Sequence, residues 1–558
     1  MPDQFKKMLN MRSLCWSIFI ISIVLVIGVR LRLLGIPFER DEGEYAYIGQ
    51  LMLQGVPPYK LAYTMKFPGT HMAYALIMAL FGESVQGVHM GLLVVNLATI
   101  ILVFFISKRL FGFAAAFSSA VSYAFLSLSQ STLGLHAHAT HFVIFFFLAS
   151  ILILLRGLRR QDKWIILGSG LLSGMALLMK QHGIFFSFFG FIYLWWDHLQ
   201  LKTDPILRLS KKLMAYCIGV AVPFLSMCFV FYCAGVFPKF LFWTFNYAGT
   251  YGHQMSFSSA NYADGYRSLF FLVVYFFMAN LIMVMKPFQA LWYGAVLGII
   301  FLFINARSRK HIFFLVTLLF VSFFAICPGF VFRSHYFVMI LPVISFLIGV
   351  SFDGVYSFRQ GREFDNFFRT LAVVLFLTAL FWSVFQQRNY LFYESPLQVL
   401  RDTYPGELSH CSINIGAYIR KESSLKETIA VLGSEPQIYF YAQRHSATGY
   451  LYMYPLSEEQ PYSFAMEKEV ITGIEKSRPQ FIIFVHDRGS WGREMPTLIE
   501  QWVVQYLHNN YVFVGLVDAA SENTTDYYWG KAAAYVTTHP SFIQIYIRKK
   551  SGEILSKS

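Results

Sequence analysis

Long apolar runs are the feature that most constrains what this chain can fold into. Runs of roughly twenty residues with almost no charge recur through residues 1–387, and the first is Leu14–Leu34. A run of that length can cross the hydrocarbon core of a bilayer as a helix. A transmembrane β-barrel would instead show short segments of alternating polarity. The sequence therefore predicts a polytopic α-helical membrane protein with about 11 to 13 transmembrane helices.

The charge content supports this class. Charged residues make up 14% of the 558-residue chain, compared with about 25% in a soluble globular chain. The formal net charge of +14 suits an anionic lipid surface or a phosphate-bearing lipid. It fits equally well with the lysine and arginine of ordinary cytoplasmic loops, so both interpretations stay open.

The distribution of basic residues predicts the orientation in the membrane. Lys6, Lys7 and Arg12 precede the first apolar run, which places the N-terminus in the cytoplasm and the first loop, residues 35–85, outside. Later clusters of lysine and arginine give an odd number of crossings, so the C-terminal part also lies outside. We expect this arrangement in the inner (plasma) membrane of a cell.

Two segments in the middle of the chain do not follow this simple pattern. Residues 235–267 are aromatic, rich in glycine and too polar to cross, so a long outer loop is expected there. Segment 268–285 is apolar, but counting it as a full crossing breaks the charge rule nearby.

Residues 388–558 have a different character, because charges and turn residues return there. The apolar runs of this part are short and rich in β-branched and aromatic residues, and helix-like stretches separate them. This pattern is typical of strands buried in a small α/β domain. We predict a transmembrane domain over residues 1–387 and an extracytoplasmic α/β domain over residues 388–558, with strands at 428–433, 480–485, 511–517 and 542–547.

Acidic residues gather in the first outer loop, in the stretch from Arg40 to Tyr45 that contains Asp41, Glu42 and Glu44. Acids beside a membrane boundary in so apolar a chain indicate chemistry at that boundary. Asp41 can accept a proton from a hydroxyl group, whereas the adjacent Glu42 must point in another direction. The alternative is a solvated loop in which Asp41 caps the next helix.

Three cations fall on the predicted outer face, namely Lys66, Lys180 and Arg333. Lys180 ends an apolar run, and a charge at membrane depth costs about 2.5–3.5 kcal/mol, so such a residue usually has a partner. Together the three cations would form a basic rim for a lipid phosphate. The alternative for Lys66 is that its side chain extends to the membrane interface, which is common for lysine.

Histidines also cluster on the outer side, at His136, His138 and His141. Zinc binds histidine nitrogens and carboxylates, so a divalent metal is an alternative that these residues leave open. Their spacing matches no standard metal motif, and polar residues beside a wet cavity would give the same pattern. The sequence requires no cofactor, and no metal ligand is assigned.

The stretch from Arg40 to Tyr45, followed by Lys66-Phe67-Pro68, resembles the first outer loop of the C-type (GT-C) glycosyltransferases. The branch that it resembles holds the protein O-mannosyltransferases, the aminoarabinose transferase of lipid A, and bacterial galacturonosyl and mannosyl transferases. The segments Gly168–Lys180, His335–Pro342 and Val431–Tyr439 extend the likeness.

The resemblance implies an enzyme that transfers a sugar from a polyprenyl-phosphate donor to an acceptor hydroxyl on the outer face of the membrane, with inversion. The acceptor is a glycolipid, a polysaccharide or a protein. The first-loop aspartate, Asp41, is implied as the general base, and Glu42 is implied to orient the loop or to touch a substrate. Lys66 is implied as the residue that binds the donor phosphate, with Lys180 and Arg333 as further candidates. The expected substrate cavity includes Glu44, Tyr45, His335 and Tyr336.

The chain departs from the family pattern in two places. The family has lysine followed by two prolines where this chain has Lys66-Phe67-Pro68, and many relatives carry an acid where this chain has Thr140-His141. The main alternative function is a lipid or sugar transporter or flippase without transferase activity. A transporter predicts inverted repeats, which are not evident here, and gives no role to a large outer domain.

Overall fold

The structure, a computed structural model, describes residues 2–201, 205–257, 266–357, 362–518, 525–530, 535, 537 and 539–550. A helical bundle comes first in the chain, and a sheet with flanking helices follows. The helices of the bundle are α1 Pro2–Arg32, α2 Arg40–Leu53, α3 Gly69–Phe81, α4 Val85–Leu110, α5 Phe113–Leu126, α6 Ala139–Arg160, α7 Lys163–Met179, α8 Gly183–Gln200, α9 Ile206–Cys233, α10 Phe237–Leu241, α11 Ala248–Phe257, α12 Tyr266–Met285, α13 Gln289–Ile304, α14 Ala306–Arg309, α15 Ile312–Ile326, α16 Leu341–Tyr356 and α17 Arg362–Gln386.

Within the described chain, seven helical segments are long and apolar enough to cross a membrane. Polar caps mark where several helices begin: the Ser84 hydroxyl, for example, accepts the backbone N–H of Gly87 at 3.0 Å and starts α4. The polytopic helical class is thereby confirmed, while the number of crossings stays a prediction. The seven segments are Ser13–Arg32, Val85–Leu110, Ala139–Arg160, Ile206–Cys233, Phe270–Ile304, Ser334–Tyr356 and Asn366–Gln386, and shorter apolar helices lie at Gly69–Phe81, Phe113–Leu126, Lys163–Met179 and Ile312–Ile326.

The two segments that broke the simple pattern are both helical where they are described. Much of 235–267, expected as a loop, forms α10, a π-helical turn at Phe242–Tyr247, and α11. The aromatic residues drive this ordering, because the buried ring of Trp243 packs 5.6 Å from that of Tyr450 in the C-terminal unit. The apolar segment 268–285 lies within α12, and a second apolar helix, α13, begins shortly after it at Gln289.

The C-terminal unit is the predicted mixture of helices and strands. The four predicted strands are confirmed, and two short edge strands, at His445–Ser446 and Asp526–Trp529, escaped prediction. The strands are β1 Thr428–Leu432, β2 His445–Ser446, β3 Phe481–His486, β4 Tyr511–Asp518, β5 Asp526–Trp529 and β6 Phe542–Arg548. Their order in the sheet is β2-β1-β3-β6-β4-β5, parallel from β2 to β3 and antiparallel from β3 to β5. The helices of this unit are α18 Pro396–Thr403, α19 Ser412–Glu422, α20 Gln437–Ala442, α21 Tyr454–Ser457, α22 Ser463–Ser477, α23 Arg488–Trp491 and α24 Thr497–Asn510.

Helix α2 lies between the bundle and the C-terminal unit and joins the two. A methyl group at Gly43 would meet the Cβ of Gln437 at 2.5 Å and its backbone nitrogen at 2.7 Å, so only glycine allows this approach. The Tyr47 hydroxyl also accepts the backbone N–H of Ser446 at 2.8 Å. The C-terminal unit therefore fixes the position of the acidic stretch on α2.

Candidate active site

Asp41 lies in the first turn of α2, where two cavities meet. Glu39 caps the helix, and its carboxylate accepts the backbone N–H groups of Asp41 at 2.8 Å and Glu42 at 2.7 Å. The expectation that Asp41 itself caps the helix is therefore wrong, since the preceding acid takes that role. Asp41 is left to point toward the cavities, with about a fifth of its side chain exposed (22%).

The two cavities differ in their linings. The first, of about 520 Å³, contains Lys66 and Lys180, and we call it the cationic cavity. The second, of about 660 Å³, lies between the bundle and the C-terminal unit. Asp41, Arg333 and His335 are among the residues that line both. We call the second the tyrosine cavity, because its wall carries four tyrosines, Tyr251, Tyr404, Tyr452 and Tyr454.

Lys66 is held by two of the acids on α2. Its ammonium lies 2.7 Å from Asp41 Oδ1, also donates to Glu44, and sits 4.5 Å from the centre of the Tyr45 ring. Burial alone would lower the pKa of Lys66, but Asp41 and Glu44 outweigh it and hold that pKa well above its usual range. Burial likewise pushes the pKa of Asp41 upward, and the Lys66 ammonium outweighs burial, so the net pKa of Asp41 lies below its usual range.

Glu44 and Tyr45 lie beneath Lys66 rather than along the wall of either large cavity. Glu44 is fully buried and accepts hydrogen bonds from Thr64, Lys66 and the hydroxyl of Tyr452 (2.8 Å). Tyr45 is also buried and presents its ring face to the ammonium. Both residues therefore contact the Lys66 ammonium and fix its position.

Glu42 points away from the cavities into the bundle. Its carboxylate is fully buried, 3.0 Å from His89 Nε2 and 2.8 Å from His136 Nδ1, and it accepts the backbone N–H of Ala137 at 2.6 Å. Burial would raise the pKa of Glu42, but His136 and His89 hold it well below its usual range. Glu42 thus ties α2 to α4 and to the segment before α6.

Lys180 and Arg333 reach the cationic cavity from two different elements. The Lys180 ammonium lies 4.4 Å from the centre of the Tyr336 ring and 3.4 Å from His335 Nε2. Burial lowers the pKa of Lys180 to about 7, and the nearby Asp41 carboxylate opposes that shift without reversing it. Arg333 donates to the Tyr251 hydroxyl at 3.2 Å. The structure therefore brings Lys66, Lys180 and Arg333 to one cavity beside Asp41.

One group of three side chains in the described chain offers the donor atoms of a metal site. These are Asp41, His138 and His335, whose ligand atoms all lie within 4.8 Å of one another. Burial lowers the pKa of His138 to about 3, so this imidazole is neutral, as a metal ligand must be. His136 is bound to Glu42 instead, so the three histidines that are close in sequence do not form the group. The nearby cations oppose binding of a divalent metal.

Sequence reasoning missed the residues that the C-terminal unit supplies. Glu435 has no exposed side-chain surface and pairs with Arg40 at 2.9 Å, next to Asp41 in the chain. The Tyr452 hydroxyl contacts Asp41 Oδ1 at 3.4 Å and donates to Glu44. Of the two, only Glu435 could be noticed in the sequence, since it lies in segment 431–439, which extends the family resemblance. No local sequence pattern distinguishes Tyr452.

We expect Tyr452→Phe to destabilise the protein by weakening the contacts around Glu44 and Lys66. The variant leaves the buried Glu44 carboxylate with one donor fewer, and a hydrogen bond to a charged group contributes about 1.5–3 kcal/mol to stability. Thermal unfolding in detergent, followed by tryptophan fluorescence, measures the loss. Tyr454→Phe is the matched control, because this neighbouring tyrosine also lines the tyrosine cavity. Equal midpoints for the two variants would contradict a positioning role of Tyr452.

An apolar groove continues from the cationic cavity toward the bundle surface. It encloses about 560 Å³ and shares Phe185, Pro328 and Gly329 with the cationic cavity. Its remaining lining is apolar and mostly aromatic: Phe270, Val273, Val274, Phe277, Phe323, Phe324, Cys327, Phe330 and Phe332. The cations are thus placed at the head of a surface that suits a hydrocarbon chain.

Comparison with known proteins gives one family match and several similar folds. Residues 66–229 match the family described as dolichyl-phosphate-mannose-protein mannosyltransferase. A search of the curated proteins finds no match. Among solved structures, the chain is similar to the archaeal oligosaccharyltransferase AglB from Archaeoglobus fulgidus in complex with an inhibitory peptide and a dolichol-phosphate (13% identity, TM-score 0.52, covering 97% of this chain and 77% of that chain).

The chain is also similar to ArnT from Cupriavidus metallidurans in two states. For the apo state the identity is 12% and the TM-score 0.55, with 96% of this chain and 98% of that chain covered. For the state bound to undecaprenyl phosphate the identity is 14% and the TM-score 0.51, with 95% and 97% covered. Likeness at this identity shows a shared fold over almost the whole length of the chain.

Proposed function

We propose that the chain transfers a sugar from a polyprenyl-phosphate donor to an acceptor hydroxyl, since it shares the GT-C fold of AglB and ArnT and its residues 66–229 match a mannosyltransferase family. The observation that carries this proposal is the position of Asp41. This carboxylate stands between a cavity with three cations and a second cavity with tyrosine walls. A base placed between a donor site and an acceptor site is what a direct sugar transfer needs.

The donor would lie with its phosphate in the cationic cavity and its polyprenyl chain in the apolar groove. Lys66, Lys180 and Arg333 supply the positive charge that a leaving phosphate needs as the glycosidic bond breaks. The solved ArnT structure contains undecaprenyl phosphate, which supports a lipid phosphate as the ligand class. A transporter would give no role to a base at this boundary.

Donor binding changes the partners of Lys66. In the structure Lys66 pairs with Asp41, and that pairing makes the carboxylate a weak base. A phosphate in the cationic cavity competes for the same ammonium and draws it away, which raises the basicity of Asp41. Glu44 and the Tyr45 ring hold Lys66 within reach of both partners. Binding of the donor thereby activates the base.

The transfer is a single displacement. Asp41 takes the proton of the acceptor hydroxyl, and the acceptor oxygen forms a bond to the anomeric carbon of the sugar. The bond between that carbon and the phosphate oxygen breaks, and both of its electrons leave with the lipid phosphate. The product is a glycoside of inverted configuration, and the proton stays on Asp41 until release. No glycosyl-enzyme intermediate is needed, so a second carboxylate has no role in the chemistry.

The roles of the remaining site residues follow from their placement. Glu42 orients the first loop, because its carboxylate is buried among histidines rather than exposed to a cavity. Glu44 and Tyr45 position Lys66. His335 lines both cavities and Tyr336 lines the cationic cavity, where it contacts Lys180.

The orientation proposed for the chain follows from the same geometry. The first loop and the C-terminal unit contact each other through Arg40 and Glu435, so they share one side of the membrane. Basic residues lie at the opposite ends of the helices, where Arg109 donates to the carbonyl of Leu155 and the Arg307 guanidinium lies next to Gly112. The positive-inside tendency makes that end cytoplasmic. The active site then faces the extracytoplasmic side of the inner membrane, and the two-domain division at residue 387 fits the end of α17 at Gln386.

Mass spectrometry of the cell envelope tests the proposed function. Glycolipids, polysaccharides and glycoproteins are compared in cells without this protein and in cells complemented with the wild-type chain. We expect one envelope component to lose the mass of a sugar when the protein is absent and to regain it on complementation. Identical envelopes in the two strains would contradict a transferase.

We expect donor affinity to fall with rising pH because of Lys180. Below its pKa of about 7 the ammonium is charged and attracts the phosphate, and above it the side chain loses its proton. The dissociation constant of undecaprenyl phosphate should therefore rise by up to about tenfold per pH unit above pH 7. The phosphate itself is already ionised in that range, because its second pKa is about 6.

Lys180→Arg is the matched control, since a guanidinium stays charged throughout this range. Binding to the purified full chain in nanodiscs is measured by tryptophan fluorescence. The arginine variant should bind with little dependence on pH. If the dissociation constant rose equally with pH in the wild type and in Lys180→Arg, another group would be titrating. That result would contradict a phosphate-binding role of Lys180.

A further inference from the structure

A third cavity, of about 460 Å³, opens beside the tyrosine cavity on the same side of the bundle. The two cavities share Leu133, Ser334 and Thr403. A ligand held in the tyrosine cavity next to Asp41 can therefore extend into the third. We call the third the amide cavity, because its wall carries four side-chain amides, Gln130, Gln386, Gln387 and Asn389.

Three side chains that line this cavity each carry a polar atom that is buried without a hydrogen-bond partner in the described parts of the chain. These atoms are Gln387 Nε2, the Tyr390 hydroxyl and Glu394 Oε2. The Gln387 and Tyr390 side chains are more than nine-tenths buried, at 7% and 3% exposure. A buried polar group without a partner destabilises the protein, so three on one segment indicate a missing ligand.

A neighbouring contact fixes the orientation of the Gln387 side-chain amide. Gln387 Oε1 accepts the backbone N–H of Gln130 at 3.2 Å, which leaves the amide nitrogen as the free end. Tyr390 belongs to a π-helical turn, Asn389–Tyr393, that directly follows α17. Turns of this kind interrupt helices frequently at functional sites.

The charges of the amide cavity exclude an anionic ligand. Among the described residues, Glu394 and Asp402 bring two carboxylates to the wall, against one cation, Lys286. A phosphate or carboxylate ligand would meet repulsion there, unlike in the cationic cavity. A metal ion is also disfavoured, since Asp402 Oδ1 is already engaged by Gln398 at 2.8 Å.

We propose that the amide cavity binds neutral sugar residues of the acceptor, so that the acceptor of the proposed transfer is an oligosaccharide. An amide nitrogen donates, a carboxylate oxygen accepts and a phenol does both, and a sugar hydroxyl is complementary to all three. The sugar that receives the transferred residue would lie in the tyrosine cavity, where aromatic faces suit the apolar side of a pyranose ring. This proposal rests on the proposed function and selects a saccharide over a polypeptide acceptor.

Equilibrium binding to the purified full chain in nanodiscs tests the proposal without turnover. The probes are neutral trisaccharides of glucose, galactose and mannose, the corresponding monosaccharides, and a neutral hexapeptide of serine and threonine. We expect at least one trisaccharide to bind about tenfold or more tightly than its monosaccharide, because the added residues reach the amide cavity. No gain with length for any of the three sugars, or tighter binding of the hexapeptide, would overturn the proposal.

The variant Gln387→Leu should lower the affinity for that trisaccharide by about tenfold, because it keeps the size of the side chain and removes the free donor. Tyr390→Phe serves as a second variant in case the first fails to fold. Gln505→Leu, on the exposed face of α24, is the control. Wild-type affinity in both Gln387→Leu and Tyr390→Phe would also overturn the assignment.

Two further measurements complete the test. One distinguishes the possible sources of the saccharide, and the other separates the saccharide site from the proposed transferase function. An octyl glycoside of the same trisaccharide binds more tightly if the acceptor is a glycolipid head group and equally if it is the end of a polysaccharide. Undecaprenyl phosphate affinity should stay unchanged in Gln387→Leu. If trisaccharides bind but the envelope comparison shows no transfer, the transferase proposal fails and the saccharide site stands.

Discussion

Asp41→Asn is expected to lower kcat about 10²–10⁴-fold while the protein still folds and binds the donor lipid. The amide keeps the shape of the side chain but cannot take the proton of the acceptor hydroxyl. Affinity for undecaprenyl phosphate should not fall, because Lys66 loses a competing carboxylate and becomes more available to the phosphate. This combination of lost turnover and retained donor binding distinguishes a base from a phosphate-binding or structural residue.

The measurement follows release of the lipid phosphate from a polyprenyl-phosphate sugar in the presence of an envelope acceptor fraction. Asp162→Asn is the matched control, because this aspartate caps α7 through Trp164 N–H, far along the chain from the site, and asparagine caps equally well. Wild-type turnover by Asp41→Asn would contradict the base assignment.

Glu42→Ala is expected to have the largest effect on stability, a loss of about 3–5 kcal/mol in the free energy of unfolding. It removes the buried carboxylate that forms hydrogen bonds with His89, with His136 and with the backbone N–H of Ala137. Those groups would then be buried without a partner. Activity should fall as a consequence, because the helix that carries Asp41 loses its connection to α4.

Glu42→Gln keeps an accepting oxygen and the size of the side chain, so it should lose less stability and provides a measurable protein if the alanine variant does not fold. Thermal unfolding in detergent measures both variants. Glu422→Ala, on the exposed end of α19, is the control and should change stability by less than about 0.5 kcal/mol. If Glu42→Gln lost turnover at unchanged stability, Glu42 would touch a substrate rather than orient the loop.

Much of the fold was predictable because its causes are local. Twenty apolar residues in a row have few alternatives to a membrane helix, and continuous β-branched runs in a polar context have few alternatives to buried strands. The short strands at His445–Ser446 and Asp526–Trp529 escaped prediction because two or four residues carry too weak a pattern. Whether segment 268–285 crosses the membrane stays a prediction, because a second apolar helix, Gln289–Ile304, follows it closely and local hydropathy does not separate the two.

The candidate site was partly predictable for a similar reason. Charges in a very apolar chain are costly, so each one carries information, and Asp41, Lys66, Lys180 and Arg333 could be selected from the sequence. Their assembly at one cavity follows from packing of helices that are remote in the chain. The roles of neighbours were less accessible: Glu42 and Asp41 are adjacent, yet one is fully buried among histidines and the other faces two cavities.

The sequence by itself determined the class of the protein, its division into a membrane part and a sheet-containing part, and the charged side chains available for chemistry. Tertiary structure alone decided which of those charges meet. The Tyr452 hydroxyl reaches Glu44 across 408 positions of sequence, and the Glu435 carboxylate reaches Arg40 across 395. Contacts over such separations depend on how whole elements pack, and no local pattern of residues records them.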